Sequence, residues 1–476
     1  MPIVSYAQRL VDHATREPDR PALTDERRTL SRGELDRLAN RTARVLAGKG
    51  VEAGDLVTIA LPNCVEFVAA AIACWKLGAV PQPVSARLPE RELHAIVELA
   101  RSRIVVRSID DVASDGVDDG PWPDATSNPW KAMTSGGSTG RPKLILAGTP
   151  GVVDSDAAPL LRMKLDGVHL MPGPLYHNGP FVWTTTALLA GNHVVLGGRF
   201  DAERTLALVD QYKPDSMYLV PTMMARIWKL PPEVRERFDV SSLEVVWHLA
   251  APCPPWLKQA WIDWLGADVI WELYAGTEAQ SATIISGREW LEHRGSVGRP
   301  TPGHMKIVGL DGSDLPSGEI GEIYMRASED GSVKTYEYVG AQARTLPGGW
   351  ESLGDMGWMD DDGYLYLTDR RTDMILVGGA NVYPAEIEAA LDEHPRVRSS
   401  CVVGLPDDDL GSRVHAIVQT DDGTAIPEDE LRAHLEQRIV RYKLPRSFEF
   451  VGESLRDDAG KLRRSKYVVP SDHLQR

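Results

Sequence analysis

From Val4 to about Val106, stretches of helical periodicity alternate with short β-branched runs, and this alternation constrains the fold more than any other feature of the chain. In LSRGELDRLANRTARVLAGKG, apolar residues fall at Leu35, Leu38, Ala39, Val45 and Leu46 before a glycine stop, and GDLVTIALPN follows as a buried strand. The next unit, EFVAAAIACWKLGAVPQPV, again runs helix, glycine, strand. Repeated units of this kind imply a layered α/β domain with a largely parallel sheet. Ser108 to Asn128 is rich in Asp, Gly and Pro and predicts a surface connection leading to a Gly/Ser loop at Thr134. A second α/β stretch runs from Val168 to about Glu278, with strands expected in HVVLGG, SMYLVP, LEVVWHLA and ADVIWELYA. After Gly295, short strands with turns at DGS, PSG and DDG predict a β-barrel-like unit.

The texture changes once more near Asp369. YPAEIEAALDEH predicts a helix with Pro384 in its first turn, RVRSSCVVGL and SRVHAIVQT predict strands, and PEDELRAHLEQRI predicts another amphipathic helix. The expected organisation is therefore an N-terminal domain of residues 1–368 and a small α+β domain of residues 369–476, as 476 residues exceed one hydrophobic core. A composition of 43% hydrophobic and 25% charged residues is that of a folded globular chain. The net charge of −16 argues against nucleic acid or an anionic membrane as partner, since both call for a basic excess. Cys64, Cys74, Cys253 and Cys401 are scattered with no CxxC pair, which predicts reduced thiols and a cytoplasmic setting. The first twenty residues carry charges where a signal peptide needs an apolar stretch, and the longest apolar run, Phe67 to Trp75, stops at Lys76. Neither a secretion signal nor a membrane span is expected.

The most informative stretch is Thr134-Ser-Gly-Gly-Ser-Thr-Gly-Arg-Pro-Lys143. Gly136, Gly137 and Gly140 let the backbone turn its N–H groups toward an anion, and Thr134, Ser135, Ser138 and Thr139 add hydroxyl donors around Lys143. It is not a Walker loop, because Arg141 and Pro142 stand where Gly-Lys is required and Leu144 follows Lys143.

In order along the chain, these signals resemble those of the adenylate-forming superfamily of acyl-CoA and aryl-CoA ligases, luciferases and peptide-synthetase adenylation domains. The resemblance begins with LSRGEL and the LPNCVEFVAA stretch. The family's phosphate loop is matched by TSGGSTGRPKL, except at Gly137 and at Leu144, which replaces a glycine. Its YGxTE motif is matched by Tyr274 to Glu278, its GSVGRPxPG by Gly295 to Gly303 and its TGD by Leu353-Gly354-Asp355. The hinge block is matched by Asp369 to Glu388, and the C-terminal GK by Gly460-Lys461.

The resemblance implies an α/β fold with a large multi-layer N-terminal domain and a small mobile C-terminal one. It implies that a carboxylic acid and MgATP give an acyl-AMP and pyrophosphate, and that coenzyme A then displaces AMP. By the same matching, Thr134 to Lys143 hold the β- and γ-phosphates, Glu278 binds Mg²⁺ and Thr277 bonds the α-phosphate. Asp355 takes the ribose with Arg370 assisting, Tyr274, Ala275 and Gly276 line the nucleotide, and Ala250, Ala251 and Pro252 face the adenine. Lys461 bridges carboxylate and α-phosphate, although Asp457 and Asp458 depart from the family's usual loop. His177 gates the border of acyl pocket and pantetheine tunnel; Phe181, Trp183, Met223, Leu273, Ala275 and Gly276 wall the pocket, with no cation in view. Thr372 stands at the hinge of residues 369–372, and Gly378 and Gly379 flank the coenzyme A tunnel.

The expected function is a carboxylic acid:CoA ligase, with ATP, Mg²⁺ and coenzyme A, acting on a bulky apolar acid of aromatic, polycyclic or terpenoid-like kind. A homodimer is compatible with it. Three other readings stay open on the sequence: a ligase that loads a carrier protein, one specialised for the thioester half-reaction, and a silent ligand sensor.

Overall fold

A computed structural model describes residues 3–113, 115–136, 142–158, 160–309, 311–370, 373–377, 380–407, 410–457, 460–462 and 464–467. The expected helices form for the expected reasons. Arg32–Gly48 opens on a capping box in which Ser31 Oγ accepts from Glu34 N at 3.2 Å and Ser31 N donates to Glu34 Oε2 at 2.8 Å. Val65–Leu77 is apolar on nearly every side, is buried, and stops at Gly78 with φ of 70°. Pro384 begins Pro384–Asp392, where its missing N–H costs nothing.

One large sheet organises the molecule. Its parallel part runs Pro21–Thr24, His193–Leu196, Val168–Met171, Ser216–Leu219, Val245–Leu249 and Ile270–Ala275. The strand at Pro21 thus joins the second α/β stretch on one side and the short strand Thr29–Ser31 on the other, apart from the strands that follow in the first α/β stretch. Those later strands, Val80–Pro83, Leu56–Ile59 and Ile104–Val106, form a separate three-stranded parallel sheet. Beyond Ile270–Ala275 the large sheet turns antiparallel through Ala282–Ser286, Ser296–Pro300, Leu365–Arg370, Trp350–Met359, Gly321–Arg326 and His304–Val308. This antiparallel arm, the unit read as barrel-like, has its own small core around Val297, Ile323, Met325 and Leu365. Its strands continue the parallel sheet without a break in pairing.

The strand Leu365–Arg370 carries the chain to the expected hinge; residues 371 and 372 lie outside the described residues. A second core then gathers Ile375, Ile387, Leu391, Val402, Val418 and Leu435 around a three-stranded sheet of Ser399–Asp407, Gly411–Gln419 and Ser447–Val451. Large N-terminal and small C-terminal domains are therefore distinct in their packing. Cys64 and Cys401 are buried and free, and burial pushes both thiols up to about 12. Among the described residues, no helix is long and apolar enough to cross a membrane.

Candidate active site

The phosphate-loop stretch is a hairpin. Ala132–Gly136 pairs antiparallel with Pro142–Ala147, Gly136 opposite Pro142, and Tyr336–Val339 adds a third strand. Gly137, Ser138, Thr139, Gly140 and Arg141 at its tip lie outside the described residues, as do the side chains of Ser135 and Gly136. At its base Thr134 Oγ1 accepts from Gln82 Nε2 at 3.2 Å, and Gln82 Oε1 accepts from Thr58 at 2.7 Å and Ser102 at 3.0 Å. Leu144, which stands where the family has glycine, is a buried core residue opposite Val339. At 1% exposure it packs in the core, and it pairs with Thr134 at the base of the hairpin. Lys143 does reach the site, with Nζ 3.1 Å from Glu278 Oε1.

The end of strand Ile270–Ala275 sorts the remaining groups. Successive residues face opposite sides, so Tyr274 turns away from Leu273 and Ala275. Tyr274 donates through its hydroxyl to Asp355 Oδ2 at 2.8 Å. Asp355 lies directly opposite Arg370 in the pairing of Trp350–Met359 with Leu365–Arg370; the Arg370 side chain is outside the described residues. The two positions assigned to the ribose are thus neighbours across one ladder. Gly276 follows, and a Cβ there would come within 2.3 Å of Leu353 Cδ1 and 2.9 Å of Glu278 Oε2. Any larger residue there would have to displace both side chains, and the turn through Thr277 brings Glu278 inward, where it is 5% exposed. On the neighbouring strand, Ala250 adopts φ of 74°, a left-handed conformation natural to the glycine it replaces. Ala251 and Pro252 continue that turn.

The acyl side differs from expectation. His177 caps the helix Asn178–Leu189, its ring 4.2 Å from that of Tyr176. The loop before it is clamped by Asn63, which donates to Gly173 O at 2.8 Å and accepts from Leu175 N at 2.9 Å. Phe181 and Trp183 do not share a wall, because two residues along a helix are rotated by roughly 200°. Trp183 meets Tyr218 and Trp247 edge-on at 5.5 and 5.9 Å, and Trp247 leads to Trp271, on the face of Leu273 and Ala275. Phe181 turns the other way and stacks on Trp130 at 5.9 Å. It is as buried as Trp183, on the opposite side of the helix. Met223, in helix Pro221–Trp228, is buried.

A cation not anticipated from sequence stands behind this side. Lys131 is 6% exposed, donates to Asn178 Oδ1 and lies 5.0 Å from the Trp130 ring. Burial lowers its pKa to about 7, opposed by the charge of Glu278. Tyr338 was missed as well: its hydroxyl lies 2.5 Å from Glu278 Oε1. Its one signal was an aromatic, alternating run, TYEYV, placed before the LGD motif.

A model of the AMP-binding enzyme family matches residues 10–336, and one of the AMP-binding enzyme C-terminal domain matches residues 386–461. The chain belongs to the AMP-binding enzymes. It is 32% identical over 477 residues to a feruloyl-CoA synthase of an Amycolatopsis species, covering 95% of this chain and 96% of that protein. It is 29% identical to the fatty acid–acyl-carrier-protein ligase ScoC of Streptomyces coeruleorubidus, over 95% and 93% of the two chains. Its fold matches that of the o-succinylbenzoate CoA synthetase MenE of Bacillus subtilis with an acyl-adenylate, at a TM-score of 0.81, 24% identity and 98% of both chains. The relatives it matches over nearly their whole length are thus named as ligases that join an acid to coenzyme A or to an acyl-carrier protein.

In this AMP-binding enzyme the C-terminal Gly-Lys sits on a tight turn. Lys461 N donates to Asp457 Oδ1 at 2.9 Å, Asp457 N donates to Lys461 O at 3.0 Å, and Gly460 N donates to Asp457 O at 2.9 Å. Asp457, which departs from the family pattern, closes the turn that presents the exposed Lys461 side chain. Asp458 lies outside the described residues. Behind the turn, Arg464 grips Glu388 through two contacts of 2.8 Å and Asp373 at 3.1 Å. The enzyme's small domain also rests on the large one at Lys229, whose Nζ donates to Asp392 O at 2.9 Å and Val397 O at 2.5 Å. Thr372, Gly378 and Gly379 lie outside the described residues.

Proposed function

We propose that the enzyme is a carboxylic acid:CoA ligase whose acid is bulky and apolar, of aromatic, polycyclic or terpenoid-like kind. One observation carries the reading: a single strand end holds Tyr274, bonded to Asp355, and four residues later a turn brings Glu278 beside Lys143. Ribose, metal and phosphate groups therefore fall along one edge, and Leu273 and Ala275 face away from it.

In this reading Asp355 accepts the ribose hydroxyls with Arg370 assisting, and Ala250, Ala251 and Pro252 face the adenine. Thr134 to Lys143 hold the β- and γ-phosphates, and Thr277 bonds the α-phosphate. Glu278 fits a cation such as Mg²⁺, as a nearly buried carboxylate beside the phosphate lysine. When bound, that ion neutralises charge on the phosphate oxygens. Lys461 meets the acid's carboxylate and the α-phosphate as they approach, lowering the repulsion between two anions. Rotation about Thr372 exchanges the Lys461 turn for Gly378-Gly379, which flank the pantetheine arm, with His177 at the gate. The pocket is formed by Trp183, Met223, Leu273, Ala275 and Gly276, and a charged tail there is disfavoured by desolvation.

The test is kcat/KM for pyrophosphate release and thioester formation across acetate, a long linear fatty acid, benzoate, a polycyclic acid and phenylalanine. Bulky apolar acids should be preferred, in graded steps of about 0.8 kcal/mol per buried methylene. Preference for acetate or phenylalanine would refute the pocket, and preference for the linear acid would mean an open tunnel.

A further inference from the structure

Glu278 receives two donors on one oxygen. Lys143 Nζ stands 3.1 Å from Oε1 and the Tyr338 hydroxyl 2.5 Å from the same atom. Lys143 also donates to the Tyr338 hydroxyl at 3.0 Å, with its ammonium 4.1 Å from the ring centroid. The other carboxylate oxygen, Oε2, is turned toward Gly276. The backbone of Glu278 is held by the same segment, since Thr335 Oγ1 donates to Glu278 O at 2.6 Å.

Tyr338 is itself fixed. Its strand, Tyr336–Val339, pairs with the strand leaving the phosphate loop, Tyr338 opposite Ile145. On the same face Tyr336 meets it edge-on at 4.6 Å and donates to Glu351 Oε2 at 2.8 Å, where Gln280 Nε2 also arrives at 2.7 Å. A rigid phenol therefore points at the Glu278 carboxylate, and it is tied to the hairpin that carries Lys143.

We propose that Tyr338 is a positioning residue of the cation–pyrophosphate site, holding the Glu278 carboxylate by Oε1 so that Oε2 is presented to the cation. The proposal rests on reading Glu278 as the cation's carboxylate. The chemistry favours a phenol in this role. A lysine that stayed on Glu278 would repel an incoming divalent cation, whereas a neutral hydroxyl orients the carboxylate and adds no positive charge. Lys143 is then released to the phosphates while the carboxylate keeps its orientation.

Tyr338→Phe keeps the ring, its contact with Tyr336 and its face toward Lys143, and removes only the hydroxyl. Mn²⁺ binding is followed by its electron paramagnetic resonance signal, with α,β-methylene-ATP, no acid and no turnover. Tyr338→Phe should weaken Mn²⁺ binding about tenfold, the usual cost of losing a partner that orients a metal ligand. Binding of the nucleotide without cation should be unchanged, and Tyr336→Phe should bind Mn²⁺ like the wild type. Wild-type Mn²⁺ affinity in Tyr338→Phe together with weakened binding in Glu278→Gln would overturn this inference and leave the Glu278 reading standing. Wild-type affinity in Glu278→Gln would overturn both. An equal loss in Tyr336→Phe would assign the effect to strand packing and overturn the role of the hydroxyl.

Discussion

Gly460, at φ of 75°, lies so close to Thr222 that a Cβ would come within 2.3 Å of Thr222 Oγ1. The Lys461 turn of the small domain is therefore seated against the helix Pro221–Trp228 of the large one. Gly460→Ala combines this clash with about 1–2 kcal/mol of left-handed strain. Adenylate formation should fall, while thioester formation from supplied acyl-AMP, which needs the other orientation, should be largely kept. Pyrophosphate release and single-turnover thioester assays on one preparation check the split.

Asp355 is held by Tyr274 at 2.8 Å and read as the ribose acceptor. Removing a charged acceptor costs about 1.5–3 kcal/mol, roughly 10- to 100-fold in affinity. Asp355→Ala should raise KM for ATP by that factor. The wild type should discriminate against 2′-deoxy-ATP and the variant should not. Unchanged discrimination would place the ribose elsewhere.

Lys131 gives a pH prediction. Its folded pKa of about 7 lies below the ordinary lysine value, so between about pH 7 and 10 the unfolded chain binds the extra proton. Stability from this group therefore rises with pH across that window, and its burial is most costly below pH 7. Lys131→Met should stabilise the enzyme near pH 6.5 by on the order of 3 kcal/mol and lose most of that advantage by pH 10. Urea unfolding of both proteins at several pH values reads this, and parallel pH profiles would contradict it.

Much of this architecture was legible because its determinants are local. Ser31 and Glu34 cap a helix from three residues apart, and Gly78 and Pro384 mark a stop and a start by backbone conformation alone. The motif residues Lys143, Tyr274, Glu278 and Asp355 were legible through the family, and the fold brings them together. Tyr338 was not, because 195 residues separate it from Lys143 and the strand pairing at Leu144 to Ala147 brings them together. Lys131 reads as a surface charge beside a tryptophan, and nothing in the sequence shows that Asn178 closes over it. That Phe181 and Trp183 lie on opposite sides of one helix is contained in the sequence, since two residues of helical rotation separate them. Asp457 looked like a flaw in the Lys461 loop, and it is the residue that closes the turn.

The most direct test of the account is Lys461→Ala, assayed in both half-reactions with the best acid of the panel and with its preformed adenylate. An electrostatic contact made as two anions meet is worth roughly two or more powers of ten, so acid-dependent pyrophosphate release should fall at least that far. Thioester formation from the supplied adenylate should stay near the wild-type rate. Equal loss of both half-reactions, or loss of neither, would contradict the assignment of Lys461 to adenylation.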